Sequence, residues 1–233
     1  MIEILGVSKR YGRKQVLDGL DWRITEGKVI GLYGLNGAGK STLLKMLAGI
    51  LTPDKGTVRI DGLPTGNESK RLVAYVPDAD GFYPWMRVRE LLQFMADFYP
   101  GWDQRVAVEL LASFRIELSA VLGQLSRGTL AKVKLILGFA QQAKYLLLDE
   151  PMLGIDPLSR KELLKLLVSE MKEDGQTVVM ATHDVHEVET LFDEVAFLAN
   201  GKIVREASPE ILRESHGMPV IHWLEEVAAH ARI

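Results

Sequence analysis

Cysteine is absent from the 233 residues, which excludes disulfides, thiolate metal sites and a thiol nucleophile. That usage fits a cytosolic protein. Basic charge is not in excess either: 28 lysines and arginines against 31 aspartates and glutamates leave a formal charge of -3. Such a chain has no positive field for holding a phosphate polymer by counterion release, so nucleic acid is not an expected partner. No apolar run approaches the roughly 20 residues of a membrane span. Residues 1–11 mix charged and apolar side chains instead of placing a basic end before an apolar run, so neither a secretory leader nor a spanning helix is expected. Internal repeats and low-complexity linkers are missing as well. What is present, 47% hydrophobic and 25% charged residues, suffices for a buried core in one domain or two closely packed lobes.

Two β-type runs, Ile2 to Val7 and Val16 to Ile24, flank the charged turn Arg10-Tyr11-Gly12-Arg13-Lys14 and predict a hairpin with Tyr11 in its loop. Val29 to Tyr33 reads as a short buried strand. After a glycine-rich turn, Ser41 to Ala48 has helical patterning. Further strands are expected at Thr57 to Ile60 and Leu72 to Val76. Three segments rich in Leu, Ala, Met, Glu and Lys predict helices: Val88 to Phe98, Gln104 to Phe114 and Leu130 to Gln142. Strand character returns at Tyr145 to Leu148 and Thr177 to Ala181, around a helix expected from Pro157 to Glu173. This β-α-β order implies a parallel sheet flanked by helices. Val195 to Ala199 and Lys202 to Arg205 bracket Asn200-Gly201, a dipeptide suited to a tight hairpin turn. Ile221 to Ala231 reads as a short amphipathic helix.

Gly34-Leu35-Asn36-Gly37-Ala38-Gly39-Lys40-Ser41 fits G-x-x-x-x-G-K-[ST] and lies between an expected strand and an expected helix. Its glycines let backbone amides converge on phosphates, and the helix that continues through Thr42 adds its positive end. Lys40 is placed to reach the β and γ phosphates of ATP, and the Ser41 hydroxyl is a hard oxygen ligand suited to Mg²⁺. The apolar strand before Asp149 and Glu150 delivers both carboxylates to the edge where parallel sheets present their ligand sites. Asp149 is expected to support Mg²⁺ through its water shell, and Glu150 to polarise the water that attacks the γ phosphate. His183 follows the strand at 178–181 and should emerge at the same edge, either as a γ-phosphate and water ligand or as a satisfied loop residue. His186 has no apparent third ligand with which to form a metal site and is expected on an exposed helix face.

With these residues in place the chain resembles the nucleotide-binding subunits of ABC transporters, from about Ile2 to about Arg213. The family signature, usually Leu-Ser-Gly-Gly-Gln, stands here as Leu125-Ser126-Arg127-Gly128-Thr129, keeping Ser126 and Gly128 and departing at Arg127 and Thr129. The resemblance implies a P-loop NTPase (RecA-like) α/β fold: a mixed-sheet core with an antiparallel β hairpin subdomain and an inserted α-helical subdomain. Residues 1–77 and 143–213 would form the core, 78–142 the helical part and 214–233 a helical tail. It further implies a head-to-tail dimer, as a homodimer or heterodimer, in which Ser126 and Gly128 complete the ATP site of the opposite subunit. A free Ser126 hydroxyl at a helix N-terminus can stabilise charge on that γ phosphate. Arg127 either adds a cation there or points to solvent.

Tyr11 matches the family's adenine-stacking aromatic, unless it packs within the hairpin. Leu153-Gly154-Ile155-Asp156 matches the loop that crosses to the partner, which makes Asp156 an interface residue. Asp78 stands where the family has a glutamine that senses Mg²⁺ and the attacking water. Gly81-Phe82-Tyr83-Pro84-Trp85-Met86 places large apolar groups in a region that docks the membrane subunit in the family. Phe98-Tyr99-Pro100-Gly101-Trp102, together with acidic Asp78, resembles the bacterial ABC-2-type, export-like subgroup. The resemblance thus implies an ATPase subunit, peripheral on the inner face of the cell membrane, that drives an integral membrane transporter subunit. A soluble ABC-type ATPase and a nucleotide-gated scaffold of low activity are the other two readings; long coiled-coil insertions and a second ATPase domain, usual in the former, are absent from the sequence.

Overall fold

The computed structural model describes residues 1–79, 81–170, 175–183 and 188–230. His186, the expected helix end at 171–173 and residue 231 lie outside them. The first half of the chain forms β1 (Ile2–Tyr11), β2 (Lys14–Ile24), β3 (Val29–Tyr33), α1 (Lys40–Leu47), β4 (Lys55–Ile60), β5 (Leu63–Pro64) and β6 (Val73–Val76). Three helices follow: α2 (Val88–Phe98), α3 (Gln104–Ser113) and α4 (Arg127–Ala140). Then come β7 (Tyr145–Asp149), α5 (Pro157–Glu170), β8 (Thr177–Thr182), β9 (Glu194–Ala199), β10 (Lys202–Ala207), α6 (Pro209–His216) and α7 (Val220–His230).

The central sheet has six strands in the order β10-β9-β3-β8-β7-β6. Pairing is parallel from β9 to β6 and antiparallel at β10. The β9–β10 turn uses Asn200 and Gly201 at φ 50° and 75°, the positive angles a two-residue hairpin turn requires. Because side chains alternate along a strand, the sheet splits its apolar residues between two cores. Ile30, Leu32, Tyr145, Leu147, Val179 and Ala181 face one; Tyr33, Leu146, Leu148, Val178 and Met180 face the other. Both faces are covered, which is why these strands read as nearly continuous apolar runs.

The first core is closed by a second sheet of four strands, β2-β1-β4-β5, all antiparallel. It is broader than the expected hairpin, because β4 returns to pair with β1. Helix α1 lies between the two sheets with Leu43, Leu44, Met46 and Leu47 all buried. Four such side chains contribute about 1.5–3 kcal/mol each, enough to hold the start of this helix at a fixed place beside the sheet edge. The second core joins the other sheet face to α2–α5 and α7 through Leu92, Leu111, Ile136, Leu167 and Trp223, among others.

Two expectations need correction. Tyr11 is the last residue of β1 and pairs with Lys14, so the turn is Gly12-Arg13 and the ring sits at a strand end. Helix α4 begins at Arg127, ahead of the expected Leu130, because Ser126 caps it: its hydroxyl accepts the Thr129 amide at 3.1 Å. The short β5 and helix α6 had no counterpart among the expected elements. In the 81–86 segment, Tyr83 and Trp85 are exposed and stack with centroids 4.7 Å apart, whereas Phe82 and Met86 pack against the second core.

Candidate active site

Strand β3 ends at Tyr33 and releases the chain into the loop 34–39 beside the backbone of β9. A β-carbon on Gly34 would stand 2.5 Å from the Leu198 carbonyl oxygen, so only glycine allows this approach. Gly39 precedes α1 at φ 110°, in left-handed space, and gives the helix no side-chain cap. The first amides of α1 are therefore not satisfied by a local side chain, as in loops that cradle phosphate. Lys40 is buried and reaches back across the loop, donating to the Gly34 carbonyl at 2.7 Å.

The parallel register brings the carboxylates to the same edge. Tyr33 lies opposite Thr182 and Asp149 opposite Ala181, so β3, β8 and β7 end level. Asp149 shares the sheet face of Leu147, which is the face that carries α1. Its Oδ1 accepts the Ser41 hydroxyl at 2.9 Å, and its Oδ2 accepts the Tyr75 hydroxyl at 2.9 Å. Glu150 turns off the strand at φ 47°, a left-handed conformation costing of order 1–3 kcal/mol for such a residue. Its amide is held by the Ala181 carbonyl at 2.9 Å. The turn aims the Glu150 carboxylate between two nitrogen partners, Lys40 Nζ at 3.2 Å and His183 Nδ1 at 2.8 Å.

Electrostatics separate the carboxylates' surroundings. Burial pushes the Asp149 carboxyl above the usual range, and the charges of Glu150 and Asp78 add to that push; the hydrogen bonds from Ser41 and Tyr75 oppose it. Burial, followed by the Asp149 charge, also drives the Tyr75 phenol well above its ordinary value, so it stays a proton donor. Ser41 and Asp149 together offer an alcohol and a carboxylate, which suits Mg²⁺. That ion takes few protein ligands and completes its shell with water and phosphate oxygens. No cluster of three or more acidic or histidine residues that could hold a metal occurs among the described residues.

An open cleft of about 440 Å³ runs along this edge, within the range of small-ligand sites. Its wall includes Leu35, Asn36, Gly37, Gly39, Lys40, Ser41 and Thr42, together with Tyr11, Asp78, Glu150 and His183. Tyr11 is 51% exposed at the rim, where a flat ring is accessible to a base. Gly34 lies behind the wall, and Ala38 faces a neighbouring groove beside Leu198. Asp78 is exposed at the rim, with its carbonyl accepting Lys134 Nζ at 2.6 Å.

Ser126 and Gly128 are not brought to this cleft. They open α4 beside the turn 150–155, next to a second hollow of about 310 Å³ that shares Asp78, Glu150 and Leu153 with the cleft and is also lined by Arg127, Lys134 and Gly154. The Ser126 hydroxyl is not free: besides accepting the Thr129 amide it pairs with the Thr129 hydroxyl at 2.8 Å. The threonine departure thus completes the cap. Gly128 packs so closely on α5 that a β-carbon would stand 2.3 Å from the Ser159 hydroxyl. Arg127 is exposed yet leans on the same turn, with Nη1 3.7 Å from where a Gly154 β-carbon would stand. Asp156 caps α5 through the amides of Leu158 and Ser159 at 3.1 and 3.0 Å.

Two residues that carry no motif also belong to the site. Tyr75 is reached only by alternation along β6, and Lys14 places its ammonium 3.7 Å from where a Gly37 β-carbon would stand. A basic turn next to a candidate phosphate loop is the signal that points to Lys14.

A family model described as ABC transporter matches residues 17–153. The ABC transporter ATP-binding protein YtrB of Bacillus subtilis is 30% identical over 218 residues, covering 93% of this chain and 75% of the relative. The Nod factor export ATP-binding protein I of a Rhizobium species is 34% identical, with 92% and 73% covered. Among solved structures, an ATP-binding subunit of an ABC transporter superposes with a TM-score of 0.85 at 26% identity, covering 98% of this chain and 99% of the other. A dimeric ATP-binding cassette in a post-hydrolysis state with ADP and Pi gives 0.78 at 25% identity, covering 89% and 98%. On the agreement of motif, edge geometry and these likenesses, the chain belongs to the ABC transporter family as an ATP-binding cassette.

Proposed function

We propose that this chain is the ATP-hydrolysing subunit of an exporter, pairing with a second cassette around two Mg-ATP and driving a separate integral membrane subunit. The observation that carries the reading is the convergence of Lys40, Ser41, Asp149, Glu150 and His183 at one sheet edge. In this reading the amides of 35–42 and Lys40 bind the phosphates, Tyr11 stacks on the adenine, and Ser41 and Asp149 hold Mg²⁺, with Asp78 at its outer shell. Magnesium, when bound, neutralises charge on the β and γ oxygens. Glu150 takes a proton from the water whose oxygen attacks the γ phosphorus, as the bond to the β-γ bridging oxygen breaks to give ADP and phosphate. His183 positions Glu150 and the γ phosphate.

Dimerisation is supported by the position of the signature: Lys40 lines the cleft, whereas Ser126 and Gly128 are absent from its wall. The likeness to a dimeric cassette points the same way. In this reading the transport path belongs to a separate membrane subunit; no helix among the described residues is long and apolar enough to cross a bilayer. The exposed Tyr83–Trp85 stack is the surface we assign to it, on the inner face of the membrane. Export rather than import is favoured by the Nod factor export relatives.

The test uses Glu150→Gln. ATP binding is expected to persist, turnover to vanish and an ATP-dependent dimer to accumulate. Capture of that trapped form from native membranes is expected to retain a polytopic membrane protein. Full turnover by the variant, or recovery of soluble partners alone, contradicts the reading.

A further inference from the structure

We infer that Tyr75 is a positioning residue for the metal-supporting carboxylate, fixing one oxygen of Asp149 while Ser41 holds the other. The inference rests on the proposed role of Asp149 with Mg²⁺. Three facts of the sheet lead to it. Strand β6 is the edge of the central sheet, and its alternation turns Ala74 and Val76 to one core and Val73 and Tyr75 to the face that carries α1. Tyr75 pairs in register with Leu147, so Asp149 is its diagonal neighbour two residues along the same face. One strand over at about 4.8 Å and two residues along at about 3.3 Å each puts the two positions about 8 Å apart, within reach of a long aromatic side chain. The phenol spans that gap and donates to Oδ2 at 2.9 Å, opposite the Ser41 hydroxyl on Oδ1 at 2.9 Å.

Each carboxylate oxygen thus has its own hydroxyl donor from a different element, Ser41 on α1 and Tyr75 on β6. A carboxylate anchored at both oxygens cannot rotate its plane without losing one bond. Asp149 is buried to 2% of its surface, so an oxygen that lost its donor would find little water to replace it. Outer partners of this kind typically change metal affinity or activity by about 10–100-fold when removed. Phenylalanine at 75 keeps the ring packed against the α1 core and deletes only the hydroxyl. A role limited to packing would weaken nucleotide binding equally with and without metal; a positioning role acts only when metal is bound.

The experiment is calorimetric titration with a non-hydrolysable ATP analogue, in EDTA and across a Mg²⁺ series, on the full chain and on Tyr75→Phe. The variant is expected to need about ten- to hundredfold more Mg²⁺ to gain the metal-dependent increment in affinity, with its affinity in EDTA unchanged. Tyr75→Met, which loses the ring together with the hydroxyl, is expected to shift the Mg²⁺ requirement likewise. An unshifted requirement in a folded variant, or an equal loss with and without metal, overturns the assignment. A wild-type chain whose affinity ignores Mg²⁺ overturns the reading of Asp149 itself, and the inference with it.

Discussion

Helices α1 and α4 both begin at loops bearing glycine and serine, yet the two N-termini are finished in opposite ways. Gly39 leaves the first turn of α1 without a side-chain cap, and buried Lys40 folds back over the loop. Ser126 caps α4, Thr129 ties down the same hydroxyl, and Gly128 is pressed against Ser159 on α5. The first end is therefore built to be completed by a ligand, and the second is complete in its own right. Local satisfaction at α4 comes from neighbouring residues of the same turn, which a γ phosphate from another chain must compete with or build upon. The difference explains why one end reads as a binding loop within a single chain, while the other is a capped surface whose use, in the proposed dimer, needs a second subunit.

Three substitutions bear on that contrast. Lys40→Ala removes the cation inside the uncapped loop and leaves Glu150 with His183 as its only nitrogen partner of the two. Charge-assisted hydrogen bonds contribute about 1.5–3 kcal/mol, so ATP affinity measured by calorimetry is expected to fall about ten- to hundredfold. An unchanged affinity would mean that the amides alone suffice. Ser126→Ala acts at the capped end, where losing a cap costs about 1 kcal/mol. Thermal melting should drop by a few degrees while nucleotide binding to the isolated chain is unaffected, since Ser126 is absent from the wall of the Lys40 cleft. A loss of binding there would erase the distinction between the two ends. Arg127→Gly is expected to have the smallest effect. The guanidinium is exposed beside Gly154, so melting should move little, and steady-state turnover shows whether its charge acts across the dimer.

Much of the site was legible because its residues sit at fixed offsets from elements whose period is plain. Lys40 and Ser41 follow a buried strand and open a helix; Asp149 ends another strand with Glu150 next to it; His183 follows a third. Each stands at the carboxyl end of a strand, so a parallel sheet gathers them at one edge; the register that sets the ends of β3, β8 and β7 level is long-range and was not legible. Tyr75 was not legible, since its role depends on which strand β6 pairs with and in what register, and no local pattern encodes that. The same holds for the four-stranded antiparallel sheet, which forms because β4 returns to β1 across an intervening helix. The Ser126 cap was half legible: the signature was visible and a free hydroxyl expected, whereas its contact with Thr129 one helical turn away is a matter of rotamer.

The central claim is that the loop 34–41 and the carboxylates of Asp149 and Glu150 form one Mg-nucleotide site. Calorimetric titration of the wild-type chain with Mg-ATP tests it most directly. The account predicts saturable heat with one nucleotide per chain, lost with EDTA to the extent that Asp149 and Ser41 hold the metal. No heat on adding Mg-ATP would contradict it.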